Sequence, residues 1–271
     1  MKMKNLFFFL ILLIFSACSQ QQQKNGWPVS TNESKPWTRW WWMGNAVDKG
    51  NLIYELDEMK KVGIGGVEIT SIYGVKGKED RFIEYLSPEY SEILRFTIDE
   101  AHSRNMEVDL PPGSGWRCGG PFVPREKGLW SLNIHKSEVK AGDVVELPEG
   151  ITIASASFVS MEGQSTVFNP EENFTAPSAG FIYYAERVKN GDKVKRAADG
   201  GKGWAIDTFN EEITEWYLQE FWNRLNIPEG LIRSFFHDSF EYTGDFTTNF
   251  TEEFKKRRGY DLAEYLHVLA G

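Results

Sequence analysis

Acidic side chains stand at the ends of four short apolar runs that the sequence predicts to be β-strands. In a parallel sheet the carboxyl ends of the strands meet at one rim, where ligands are bound. A single carboxylate there more often caps a helix or pairs with a cation. Four in register favour a site, because clustered carboxylates repel each other unless a substrate, a cation or a proton relieves them. The acidic residues at the four strand ends are Glu68 in GGVEIT, Asp109 in EVDLPP, Asp207 in GWAIDTF, and the pair Asp238 and Glu241 in FFHDSFE.

Two kinds of chemistry use several carboxylates on one rim. Cleavage of a glycosidic bond needs one carboxyl group that protonates the leaving oxygen and a second that activates water or attacks the anomeric carbon. Calcium binding is the alternative, because calcium takes several carboxylate and carbonyl oxygens as ligands. Both uses can occur in one pocket, and the spacing between Asp238 and Glu241 does not separate them.

Tryptophan is abundant, with ten residues in a chain of 271. Indole rings stack on the apolar faces of sugars, but they also fill protein cores. In the run RWWWM, Trp40 and Trp42 share one face of the predicted strand and Trp41 takes the other. We predict Trp40 and Trp42 as substrate-binding residues, with packing in the core as an equal alternative. Trp116 is also predicted to contact a ligand, because the glycines around it in GSGWRCGGPF permit tight turns.

The histidines and cysteines indicate neither zinc binding nor thiol chemistry. Of the four histidines only His237, beside Asp238, falls where a pocket is expected, and it is predicted to bind substrate. Cys118 has no assignable His or Asn partner, which argues against a thiol nucleophile. Cys18 is the other cysteine, and we expect it to be modified, so the core must hold the fold without a disulfide.

The N-terminal residues predict export. A basic start precedes an unbroken apolar run over residues 6–15, which is the layout of a signal peptide over residues 1–17. The run is shorter than the about 20 residues that a membrane-spanning helix needs. Cys18 is typical of a lipidation site, with an incidental cysteine as the alternative, and the polar tract after it predicts a flexible tether over residues 18–36. We therefore expect a lipid-anchored protein of the cell envelope, at the outer membrane, on its periplasmic side or at the cell surface.

The charge excludes one class of partner. The formal net charge is −9, and removal of Lys2 and Lys4 with the signal peptide changes it to −11. Nucleic acid is therefore not an expected partner, because its phosphates would be repelled.

From residue 37 onward, short apolar runs alternate with amphipathic helices, which is typical of βα units around a parallel sheet. Helix N-caps are predicted at Asp48 and Ser87, and a last helix is predicted to start near residue 248 and to bury Phe250 and Phe254. The predicted strands cover residues 39–43, 66–70, 106–110, 203–207 and 232–236.

The alternation stops between residues 113 and 201. Strand-like segments without an amphipathic helix predict a small antiparallel β insertion there, after the third strand. The remainder, residues 37–112 and 202–271, gives about five βα units. A TIM-type (β/α)8 barrel needs eight, so the predicted fold class is α/β with a partial barrel. An open sheet is the alternative architecture.

Several long motifs together resemble the large bacterial α-L-rhamnosidases, a calcium-associated, inverting type of glycoside hydrolase. The motifs occur in the same order and span most of the chain after the signal peptide. They are RWWWMGNAVDKGNL, GIGGVEITSIYGVKGKEDRFIEYLSPEY, GSGWRCGGPFV, VKRAADGGKGWAID and FFHDSFEYTGDFTTNFTEEFKKRRGYDL.

The resemblance implies a (β/α)8 catalytic domain, no organic cofactor and a bound calcium ion. It also implies removal of terminal L-rhamnose from plant-type polysaccharides, with a rhamnose-containing oligo- or polysaccharide as partner. Glu241 in DSFE matches one of the catalytic glutamates. The pocket motifs contain Trp40 to Trp42, Glu68, Asp109, Trp116, Asp207 and Asp238.

Two departures from this family matter. The β insertion is shorter, and the sequence stops after the RRGYDL helix, so the second catalytic carboxylate and calcium ligands can lie on strands that are absent. We therefore expect little or no activity from this chain alone. A glycan-binding surface lipoprotein without hydrolysis is the alternative function.

Overall fold

The computed structural model describes residue 26, residues 28–237 and residues 241–271. Within them, twelve strands and five α-helices follow one another as β1 (Trp37–Met43), α1 (Lys49–Lys61), β2 (Gly66–Ile72), α2 (Pro88–Ser103), β3 (Glu107–Leu110), β4 (Gly119–Gly120), β5 (Trp130–Val139), β6 (Val144–Val145), β7 (Ile153–Ser160), β8 (Ser165–Phe168), β9 (Phe174–Thr175), β10 (Gly180–Lys189), β11 (Trp204–Ala205), α3 (Glu211–Leu225), β12 (Ser234–Phe235), α4 (Phe250–Arg258) and α5 (Leu266–Leu269).

Strands β1, β2, β3 and β12 form a parallel sheet in that order. Their register places Arg39, Glu68, Asp109 and Ser234 in one row across the sheet. The α/β class is therefore as predicted. Among the described strands β1 and β12 are edges and the sheet does not close, so the barrel stays a prediction.

Helices α1, α2 and α3 cover one face of this sheet, and each starts at a capping side chain. The side chains of Asp48, Ser87 and Asn210 accept hydrogen bonds from backbone N–H groups three residues later, which satisfies donors that the first turn leaves unpaired. The caps predicted at Asp48 and Ser87 are confirmed. The apolar stripes of these helices and the sheet bury one core, which includes Trp42, Leu56, Leu94, Ile98, Val108, Tyr217 and Phe221.

The segment between β3 and β12 carries an antiparallel sheet, as its alternating pattern predicts. Four strands pair in the order β5, β10, β7 and β8, and the short strands β6 and β9 form a separate pair. One face of the larger sheet buries Phe158 and Ile182, and the other buries Val159 and Tyr183.

The prediction of a fourth parallel strand over residues 203–207 is wrong. Residues Trp204 and Ala205 form β11, which pairs antiparallel with β4. Glycine explains the pairing, because a Cβ on Gly203 would lie 1.8 Å from the carbonyl oxygen of Gly120. The described parallel sheet thus has four strands instead of the predicted five.

The C-terminal residues lie against the antiparallel sheet. Helix α4 begins after Asn249, close to the predicted start, but Phe250 is 37% exposed and Phe254 is only partly buried. A short 3₁₀ helix and α5 follow it and contact β7, β8 and β10, where Leu266 is buried beside Tyr183. The prediction that α4 buries both phenylalanines is therefore wrong, because the buried contact is made further along the chain.

The last residues of the predicted tether have a defined structure. Residues 31–36 form a turn that packs at the start of β2, where the carbonyl oxygen of Asn32 accepts a hydrogen bond from Trp37 Nε1 at 3.1 Å. Lys35 Nζ donates to the Asn32 side chain at 2.9 Å. The signal peptide and Cys18 lie outside the described residues. Within the described part no helix is long and apolar enough to cross a membrane.

Candidate active site

A small pocket lies on the face of the parallel sheet opposite to the helices. Strand alternation places it there, because Trp40 and Trp42 pack under the helices while Arg39 and Trp41 take the other face. The pocket volume is about 30 Å³, which is too small to enclose a sugar, so a sugar would lie on an open surface. The pocket is lined by Arg39, Trp41, Glu68, Thr70, Pro111, Pro112, Gly113, Gly115, Trp116, Arg117, Cys118, Phe236 and His237.

Glu68 is the acidic side chain of this pocket. Its Oε2 accepts a hydrogen bond from Arg39 Nε at 3.0 Å, and its Oε1 accepts one from the Thr70 hydroxyl at 2.8 Å. The side chain is 12% exposed. Both oxygens are therefore oriented by neighbouring strand residues, and the group is held in a fixed position for contact with a ligand.

Asp109 and Asp207 do not line the pocket, which corrects two predicted substrate contacts. Asp109 is 6% exposed, and both of its oxygens accept hydrogen bonds from the guanidinium of Arg233. Asp207 is fully buried and accepts from the Thr247 hydroxyl at 2.8 Å. Burial raises the pKa of Asp207 above its ordinary value, although its hydrogen bonds act in the opposite direction. Asp109 therefore connects β3 to the segment of Arg233, and Asp207 connects its own segment to that of Thr247.

The tryptophans of β1 divide in the opposite way to the prediction. Trp40 is 7% exposed and Trp42 is fully buried, so both belong to the core, and Trp40 Nε1 donates to Glu55 at 2.6 Å. Trp41 is 42% exposed and lies 5.8 Å from the ring of Trp116. A strand residue with a charge marks the polar face, so the shared parity of Arg39 and Trp41 was the signal for the pocket side.

The loop around Trp116 is fixed by backbone contacts. The N–H of Trp116 donates to the carbonyl of Lys195 at 2.9 Å, and Lys195 donates back at 3.2 Å. A Cβ on Gly115 would lie 2.2 Å from that same carbonyl, so only glycine permits this approach. Arg117 follows with a left-handed φ of 73°, and its side chain is buried against Asp192 at 2.6 Å. Trp116 is thereby held at the pocket, and its contact with a ligand stays a prediction.

Cys118 and His237 form the back of the pocket with Tyr242. The Cys118 Sγ lies 3.7 Å from His237 Nδ1, and the Tyr242 hydroxyl lies 3.5 Å from His237 Nε2. The backbone N–H of Cys118 donates to the Tyr242 hydroxyl at 2.7 Å. Burial raises the pKa of the Cys118 thiol to about 11, so it is protonated at neutral pH and is a poor nucleophile.

Glu241 lies beside the pocket and is not among its lining residues. Its side chain is half exposed, and its Oε2 is 3.6 Å from Lys195 Nζ. Because the backbone of Lys195 pairs with Trp116, Glu241 is close to the loop that carries this indole. Asp238 lies outside the described residues.

Calcium binding stays a prediction from the sequence. The described residues contain no group of three His, Cys, Asp or Glu side chains that could hold a metal. The two acidic groups in one row of the sheet, Glu68 and Asp109, are each neutralised by an arginine.

Comparison with known proteins extends these observations. Residues 29–177 match the model of glycoside hydrolase family 106, described as alpha-L-rhamnosidase. A candidate beta-glucuronidase of Formosa agariphila is 24% identical over 307 aligned positions, which cover 92% of this chain and 26% of that protein. The solved rhamnosidase from Novosphingobium sp. PP1Y has a TM-score of 0.66 at 15% identity and therefore shows a shared fold.

The chain spans only part of these relatives. Its alignment takes in about a quarter of the length of the Formosa protein. The superposition covers 89% of this chain and 42% of the Novosphingobium chain.

Proposed function

The chain belongs to the alpha-L-rhamnosidase family of glycoside hydrolases, and from this membership we propose that the protein removes terminal α-L-rhamnose from plant-type polysaccharides. One observation carries the proposal. At the pocket, the fixed carboxylate of Glu68 lies beside the exposed indole of Trp41 and the partly buried indole of Trp116, so a polar acceptor and apolar surfaces converge as sugar binding requires.

We assign the acid/base chemistry to carboxylates, with Glu241 as a catalytic group. Its half-exposed side chain contacts Lys195, whose backbone pairs with Trp116 at the pocket. In an inverting reaction one carboxyl group protonates the leaving oxygen and another activates water, and the two are about 6.5–9.5 Å apart. Glu68, Trp116, His237 and Asp238 are proposed to bind the substrate.

The catalytic assignment is tested with Glu241→Gln, which keeps the size of the side chain and removes its acid/base capacity. We expect release of rhamnose from an aryl α-L-rhamnoside to fall by about 100-fold or more. Glu162→Gln is the matched control, because Glu162 is exposed on the turn between β7 and β8. Rhamnose release that is measurable in the native chain and equal in Glu241→Gln would refute the role of Glu241.

The binding assignment is tested with Trp41→Ala. Loss of a stacking indole should weaken rhamnoside binding about tenfold, measured by calorimetry, with little loss of stability because Trp41 is 42% exposed. Phe209→Ala is the control, since Phe209 is a 56% exposed aromatic residue that does not line the pocket. Unchanged affinity in Trp41→Ala would place the sugar elsewhere.

A specific observation favours glycan binding without hydrolysis as the second candidate. The acidic group that lines the pocket, Glu68, is neutralised by Arg39, and Glu241 lies outside the lining. A binding protein would show saturable affinity for the rhamnoside that survives Glu241→Gln, and no product after long incubation. Hydrolysis that Glu241→Gln abolishes would exclude it.

We propose that the protein acts in the cell envelope, anchored by a lipid on Cys18. The support is the apolar run before this cysteine in the sequence. Expression with a radiolabelled fatty acid should label the native protein and leave Cys18→Ser unlabelled. Equal labelling of the two would remove the proposed anchor.

A further inference from the structure

Aromatic rings and guanidinium groups form a continuous series of contacts along the edge of the pocket. Arg39 lies 5.0 Å from the ring of Phe236 and 5.3 Å from that of Trp41. Trp41 lies 5.8 Å from Trp116, and the guanidinium of Arg196 lies 5.3 Å from the Trp116 ring. We call this series, which consists of Phe236, Arg39, Trp41, Trp116 and Arg196, the rim column.

The two cations of the rim column differ in their partners. Arg39 is paired with Glu68. Arg196 is exposed and makes no ion pair with a described carboxylate; its Nη1 is 3.4 Å from the Tyr73 hydroxyl. Lys195, the neighbouring cation, pairs with Glu241. The rim therefore presents one guanidinium whose charge no described acid neutralises.

The backbone fixes Arg196 at this place. The N–H of Tyr73 donates to the carbonyl of Arg196 at 3.0 Å, and the adjacent Lys195 pairs with Trp116 through two backbone hydrogen bonds. Arg196 has a left-handed φ of 56°, which is uncommon for a residue with a side chain. The guanidinium also lies 5.8 Å from the Tyr73 ring, so it is held between two aromatic rings.

We propose that Arg196 binds the carboxylate of a uronic acid that is linked to the rhamnose. A guanidinium stacked on aromatic rings keeps its in-plane N–H groups available, and these match the two oxygens of a carboxylate. A rhamnose at the pocket, beside Trp41 and Trp116, would place the next sugar along the rim column towards Arg196. This inference rests on the proposed function and narrows its substrate to acidic glycans.

The test compares two ligands that differ in one group. One is a disaccharide of α-L-rhamnose linked to glucuronic acid, and the other is the same disaccharide with its carboxyl group reduced to an alcohol. Calorimetry with the full chain should show tighter binding of the acidic ligand. Arg196→Ala should weaken that binding about tenfold and leave the neutral ligand within about twofold, because a hydrogen-bonded charge pair is lost only with the acid.

Two further variants sharpen the comparison. Arg196→Lys keeps the charge without the planar fork, so it should give an intermediate affinity for the acidic ligand. Lys193→Ala is the matched control, because Lys193 is an exposed cation of the same segment that lies over a different indole, 4.5 Å from the ring of Trp204. Its affinities should equal those of the native chain.

The outcomes separate this inference from the proposed function. Equal affinity of the native chain for the acidic and neutral ligands would overturn the uronate inference and leave the rhamnoside assignment standing. Equal weakening of both ligands by Arg196→Ala would also overturn it, since that is a structural effect. Binding of neither ligand by the native chain would refute the rhamnoside assignment and the inference with it.

Discussion

At the scale of single residues, the buried ion pair between Arg117 and Asp192 connects the Trp116 loop to a distant segment of the chain. Arg117 is 2% exposed at its side chain and contacts Asp192 at 2.6 Å. Asp192 also accepts from the Thr243 hydroxyl at 2.7 Å. Burial alone would raise the pKa of Asp192, but hydrogen bonds from Thr243 and Arg117 outweigh it and hold the pKa below its ordinary value.

This lowered pKa predicts a dependence of stability on pH. An aspartate with a depressed folded-state pKa stabilises the fold above its unfolded value of about 3.9, and the contribution is lost as the pH falls through the folded-state value. Asp192→Asn should reduce the free energy of unfolding by about 3 kcal/mol at pH 7, because Arg117 is left buried without its partner. Urea unfolding at pH 7 and near pH 3 measures the change.

The control for this prediction is Asp199→Asn, which alters an exposed aspartate and should have little effect at either pH. The difference between the native chain and Asp192→Asn should shrink towards pH 3, since the pH is then below the unfolded-state pKa of about 3.9 and the unfolded chain gains a proton that the ionised Asp192 of the folded chain lacks. A difference of equal size at both pH values would contradict the ionic origin of the effect.

At the scale of elements, close backbone approach decides where β11 lies. Gly203→Ala would place a methyl group 1.8 Å from the Gly120 carbonyl oxygen, so β4 and β11 must separate. We expect a loss of about 1–3 kcal/mol in the free energy of unfolding, measured with urea, together with weaker rhamnoside binding because the loop that carries Trp116 precedes β4. Gly50→Ala is the control, since its new methyl group meets only Asp48 at 3.5 Å in the first turn of α1. A stable Gly203→Ala variant would show that this pairing is not required.

The elements that local rules determine were predictable from sequence, and the pairing of β11 was not. Asp48 and Ser87 cap their helices because the cap and the apolar stripe lie within a few residues of each other. The run GWAID has the composition of a strand, but its partner at Gly119 is over 80 positions away in the sequence. The two strands can pair there because glycine has no side chain to keep the backbones apart. At the site, alternation gives β1 two faces, and the charge of Arg39 was the sequence signal that Trp41 lies on the face away from the helices.

At the scale of the whole molecule, the antiparallel sheet is covered by the C-terminal residues. Leu266 is fully buried in a cluster with Val159, Tyr183 and Ala185. These residues belong to β7 and β10, which the chain completes long before it reaches α5. The end of the described chain therefore packs on the sheet that lies between β3 and β12 in sequence.

Removal of this contact should destabilise the antiparallel sheet more than the parallel one. Leu266→Ala deletes a fully buried side chain and should cost about 2–5 kcal/mol, whereas Leu269→Ala, at a 54% exposed position three residues later, should cost little. Hydrogen exchange distinguishes the two sheets: amides of β7 and β10 should lose protection in Leu266→Ala while those of β2 and β3 keep it. Equal loss of protection in both sheets would show instead that the described elements unfold as one cooperative unit. In that case the packing of Leu266 on the antiparallel sheet would also stabilise the pocket.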